Sequence, residues 1–128
     1  MVFKSPSYIK QEIEDTDRLI RETGYKGTIQ FRPPYGKKLL FLPYYLKQNG
    51  RNTITWDLEP ETDPRVNASS ETIIRHVVDN VKPGSIILLH PMYDGKGNTL
   101  NAIKGIIKGL QDQDYIFKTV NELLEYRN

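Results

Sequence analysis

The chain has 128 residues, 38% hydrophobic and 27% charged, which is enough for one domain with a real core and is not a disordered, collagenous or coiled-coil composition. Eighteen Lys and Arg against 16 Asp and Glu leave a net charge of +2, scattered along the chain with no basic stripe, so nucleic acid is not favoured as a partner. With no cysteine, disulfides, thiolate catalysis and cysteine-held zinc are excluded, and no apolar run approaches membrane-spanning length. The opening Met1-Val2-Phe3-Lys4-Ser5-Pro6 lacks the apolar stretch of a signal peptide.

Ser5 followed by Pro6 predicts a helix start, since proline lacks an N–H that the first turn would leave unbonded. Ile9, Ile13, Leu19 and Ile20 then fall near one helical face, and Gly24 predicts the stop. Thr28 to Phe31 is expected as a short strand running into Arg32-Pro33-Pro34-Tyr35-Gly36. A brief helix is expected over Pro43 to Gln48, ended by Asn49-Gly50. Thr53 to Trp56, rich in β-branched residues, is the second expected strand.

A polar loop follows from Asp57 to Ala68. Ser69 or Ser70 is expected to cap a helix carrying the stripe Ile73, Ile74, Val77, Val78 and Val81. Pro83-Gly84 turns the chain into Ser85 to His90, whose unbroken aliphatic run is that of a strand buried on both faces. Leu100, Ile103, Ile106, Ile107 and Leu110 mark another amphipathic helix. Tyr115 to Lys118 is the last expected strand, and Thr119 with Glu122 forms a capping box for a terminal helix. Strands alternating with helices imply right-handed βαβ units and a parallel sheet.

In parallel α/β proteins, sites lie at the carboxyl ends of the strands. Three such ends carry candidate chemistry here. At the first, two prolines hold Arg32 in a fixed direction, where its guanidinium can grip a carboxylate or stay solvated, and the Tyr35 N–H can face a ligand oxygen. At the second, Asp57 and Glu59 follow Trp56 at alternate positions, able to tune a histidine or bind a cation, or merely to solvate a loop. At the third, His90 closes the aliphatic run, placed for proton transfer or for a hydrogen bond to a neighbouring loop. His76 is read as a surface residue. Two histidines on different elements, without a His-x-x-x-His pair, predict no metal site; His90 and Asp94 alone are too few.

Taken in order, Phe31-Arg32-Pro33-Pro34-Tyr35-Gly36, Thr55-Trp56-Asp57, Val81-Lys82-Pro83-Gly84-Ser85-Ile86-Ile87-Leu88-Leu89-His90, Asn98-Thr99-Leu100 and the run from Asp114 to Leu124 resemble the NodB-homology polysaccharide deacetylases, carbohydrate esterase family four. The resemblance runs from about residue 7 to the end of the chain. It implies an α/β fold, a partial (β/α) barrel of about four parallel strands with flanking helices, spanning residues 1–128 as a single domain. It implies hydrolysis of N-acetyl groups on amino-sugar polymers of the peptidoglycan or chitin type, with zinc or another divalent metal.

By that resemblance His90 is the general acid, Arg32 positions an aspartate base, and the Tyr35 N–H helps form the oxyanion hole. Glu59 or Asp57 tunes the histidine, and Leu88, Trp56 and Pro34 lie on the substrate side. The family's Thr-Phe-Asp-Asp segment and its His-x-x-x-His pair do not occur in this sequence. Met1 is therefore expected to be an internal methionine serving as a start, and the chain is expected to bind no metal and to be inactive alone. Unpaired sheet edges predict self-association. The family is often extracytoplasmic. The alternative from another class is a non-catalytic α/β module that binds glycan or protein.

Overall fold

The computed structural model describes residues 5–34, 41–93 and 95–127. It divides into two compact units, Met1–Thr55 and Trp56–Asn128.

In the first unit, α1 spans Pro6–Glu22. Ser5 caps it in the expected way: its backbone is extended and its hydroxyl accepts the Tyr8 N–H at 3.2 Å. Gly24, at φ 90°, turns the chain off the helix in a conformation that glycine adopts at little cost. Helix α2 spans Phe41–Gln48, two residues earlier in its start than the sequence predicts. Ile9 and Ile13 of α1 and Leu42 and Leu46 of α2 form a small core, with Phe31 and Tyr45 against it. Leu19, expected on the same face, is 56% exposed. The four-residue step from Ile9 to Ile13 carries the stripe away from position 19.

Behind this core Arg51, 9% exposed, donates to Asp17 at 2.6 Å. Its guanidinium lies 5.9 Å from the Phe31 ring centre. Arg51 thus joins the loop before the second expected strand to α1 through a charge-assisted bond.

The second unit is organised by α3, Ser70–Asn80, packed on α4, Asn98–Gln111. Ser69 caps α3 in a reciprocal box with Thr72. Ile73 and Val77 of α3 meet Ala102, Ile106 and Leu110 of α4 to form the larger core. Leu100 and Ile107, expected on the buried face of α4, are 58% and 40% exposed. The observed face runs through Thr99, Ala102, Ile106 and Leu110, where small residues let the helices approach. A Cβ at Gly105 would stand 2.3 Å from Ile74 Cδ1, and one at Gly109 would stand 2.7 Å from Val78 Cγ2. Helix α5, Val120–Glu125, begins at the expected capping box of Thr119 and Glu122.

No extended strand forms among the described residues, and the four expected strands are replaced by irregular backbone. Two isolated parallel bridges remain, Phe31 with Thr53 and Leu58 with Ile87. In the first, Ile54 N–H donates to the Phe31 carbonyl at 2.8 Å. In the second, Leu88 N–H donates to the Leu58 carbonyl at 2.8 Å. The segment 115–118 has no bridge, and Ile116 is 75% exposed. No described helix is long and apolar enough to cross a membrane.

Candidate functional site

A chemically organised cluster forms in the second unit around His90. The bridge between Leu58 and Ile87 sets the chain before His90 alongside the segment that enters a single 3-10 turn, Pro60–Thr62. Pro60, fully buried, starts that turn, and Glu61 stands immediately after it. Glu61 Oε2 lies 2.5 Å from His90 Nδ1, and Glu61 Oε1 accepts the His90 backbone N–H at 2.8 Å. Thr99, at the start of α4, donates its hydroxyl to the same Oε1 at 2.8 Å.

The glutamate side chain is 14% exposed and the imidazole 43% exposed. Nδ1 is thereby engaged, and Nε2 makes no hydrogen bond among the described residues. Tyr93 follows on the next turn, its ring centre 6.4 Å from that of His90.

Burial pushes the Glu61 carboxyl up. The bonds from the His90 amide, the His90 ring and Thr99 together outweigh burial and hold it below the ordinary carboxylate value. Glu61 therefore stays ionised in the fold and favours a proton on Nδ1.

The acid on His90 is thus Glu61, and neither of the two that the sequence suggested. Glu59 instead accepts the Trp56 indole N–H at 2.9 Å. Asp57, exposed, accepts the Ser85 hydroxyl and the Ile86 N–H, each at 2.7 Å, and so clasps the start of the aliphatic run. The Pro60 turn breaks the alternation that placed Glu59 in line. Leu88 is half-buried beside this cluster on the segment that ends at His90. In the first unit, Arg32 is exposed, Pro33 is buried and Pro34 is exposed. Tyr35 and Asp94 lie outside the described residues.

Among the described residues no group of three or more His, Asp or Glu side chains could share a metal ion. The acids of segment 57–61, which runs beside the chain before His90, are all engaged: Asp57 with Ser85 and Ile86, Glu59 with Trp56, Glu61 with the histidine itself. Among the described residues, then, this donor set does not fit a divalent metal.

No protein-family model matches the chain. It is 35% identical, over 84% of its length, to a peptidoglycan-N-acetylglucosamine deacetylase of Bacillus cereus, and covers 50% of that protein. Its fold is similar to that of the peptidoglycan deacetylase PdaC from Bacillus subtilis, with a TM-score of 0.77 at 31% identity. That likeness covers 97% of this chain and 57% of PdaC. A family 4 carbohydrate esterase from Streptomyces lividans, solved in complex with acetate, gives a TM-score of 0.75 at 28% identity. It is matched over 94% of this chain and 59% of its own. The chain spans about half the length of the curated relative.

Proposed function

As a relative of the NodB-type polysaccharide deacetylases of carbohydrate esterase family 4, this chain, we propose, carries the proton-donating side of a site for N-acetylated amino sugars. Residues 1–128 are read as one part of a (β/α) barrel, with the segments at Phe31, Thr53, Leu58 and Ile87 as its parallel staves. The two parallel bridges support that reading.

The observation that carries the proposal is the bond between Glu61 and His90 Nδ1. Hydrolysis of an acetamide by water gives acetate and an amine, and the nitrogen must gain a proton as its bond to the acyl carbon breaks. His90 gives that proton from Nε2, while the Glu61 carboxylate stabilises the imidazolium through Nδ1. Leu88 packs against the acetyl methyl, with Trp56 and Pro34 on the sugar side. The likeness to the family would assign Arg32 to orienting an acidic base and the Tyr35 N–H to the developing oxyanion. The divalent metal of the family has no ligand set among the described residues. The chain alone is therefore proposed to bind glycan without turning it over.

The test is a titration of the isotope-labelled chain with N-acetylated chitooligosaccharide, paired with an acetate-release assay with and without zinc. Shifts at His90 and Leu88 with no acetate are expected. Clear metal-dependent turnover would overturn the inert reading, and an unperturbed spectrum at millimolar glycan would overturn the glycan reading.

We also propose self-association. Ile116 and Phe117, 75% and 54% exposed on a segment without bridges, support it. Sedimentation over a hundredfold concentration range should show a rising mass; a constant monomer mass refutes the idea.

A further inference from the structure

Thr99 is the one polar side chain fully buried among the described residues. It occupies the first position of the α4 face that continues through Ala102, Ile106 and Leu110, where a valine would fill the same volume without a hydroxyl to satisfy. Its hydroxyl donates to Glu61 Oε1 at 2.8 Å, and the His90 backbone N–H donates to that same oxygen. Two donors on one oxygen fix the rotation of the carboxylate and leave Oε2 turned to His90 Nδ1.

We propose that Thr99 is a positioning residue: by pinning Glu61 from the buried face of α4 it selects which nitrogen of His90 bears the proton. A neutral imidazole takes its tautomer from whichever hydrogen bond one nitrogen makes. Here the carboxylate holds the proton on Nδ1, so Nε2 presents a lone pair when the ring is neutral and an N–H when it is charged. Without Thr99 the carboxylate is held only by the His90 amide and ring, turns more freely, and fixes the tautomer less firmly. The inference deepens the reading of His90 as proton donor and rests on that reading for its function, though the tautomer itself is observable without glycan.

The experiment is long-range proton–nitrogen correlation of the His90 ring in the whole chain above neutral pH, for the wild type, Thr99→Val and Thr99→Ser. The wild type and Thr99→Ser are expected to show the Nδ1-protonated pattern, and Thr99→Val an averaged pattern with Nε2–H populated. Retention of the wild-type pattern in Thr99→Val overturns the proposal, as does its loss in Thr99→Ser to the same degree. Should Thr99→Val fail to fold, the wild type decides. A slowly exchanging Thr99 hydroxyl proton with a cross-peak to Glu61 supports the pinning, and its absence overturns it. Neither readout uses acetate release or glycan binding, so failure of the deacetylase reading would leave the tautomer result intact.

Discussion

Glu61→Gln is expected to reverse the protonation of the neutral His90 ring. The amide keeps an oxygen for Thr99 and the His90 N–H, which places its NH₂ opposite Nδ1. An NH₂ donates, so Nδ1 must accept and the proton moves to Nε2. The same donor disfavours the imidazolium, the form proposed to supply the proton. In any assembly where this site turns over, the rate should fall by roughly 10²- to 10⁴-fold, the range of general acid catalysis.

The exchange of a buried charged acceptor for a neutral one should also cost about 2 kcal/mol at neutral pH. The sign of the pH dependence follows from the lowered carboxyl. Its stabilisation is fully present above the ordinary glutamate value and is lost as pH falls through the lower folded value. The gap between wild type and Glu61→Gln should therefore be widest at neutrality and should close on acidification below about pH 4.5. Urea titrations at pH 7 and pH 3 check this; a gap that widens in acid would refute it.

The second large effect is on stability. Ile73 has no exposed surface and lies between α3 and α4 amid Val77, Ala102, Ile106 and Leu110. Truncation to alanine removes three carbons from a site whose neighbours are held by two close-packed helices, so the cavity can collapse only in part. The expected cost is about 3–4 kcal/mol, a large share of the roughly 5–15 kcal/mol available to a domain. Ile116→Ala is the matched control: at 75% exposure it should stay within about 0.5 kcal/mol of wild type. Fluorescence of the single tryptophan, Trp56, reports both transitions in the second unit. Equal urea midpoints for the two variants would refute the packing account.

The helices were legible because their signals are local. Ser5 before Pro6, Ser69 before Thr72, and Thr119 with Glu122 each satisfy backbone donors within one turn, and each cap is observed. The strands were less so. A run such as Ile86 to Leu89 announces burial and β preference, but a ladder needs partners tens of residues away, and only Ile87 finds a bridge.

His90 was found from its position after that run. Its acid is not legible in the same way: the sequence favours Asp57 or Glu59, and the choice of Glu61 depends on a single 3-10 turn at Pro60. Proline at the turn's first position was the available signal, since it interrupts the extended alternation that favoured Glu59. Thr99 stands in the sequence only within Asn98-Thr99-Leu100; its bond to Glu61 depends on α4 facing that residue, which no local pattern encodes.

The bridge before His90 consists of few bonds: the Asp57 and Leu58 amides to the Ile86 carbonyl, and the Leu88 amide to Leu58. Breaking so short a contact leaves the α3–α4 core untouched, so deuterium should enter Leu88 by local opening long before it reaches Val77 or Ile106. A sugar seated at His90 would then announce itself as slowed exchange in this one segment. The ordering it would impose is small and confined to this segment, while the helical scaffold stays as it is.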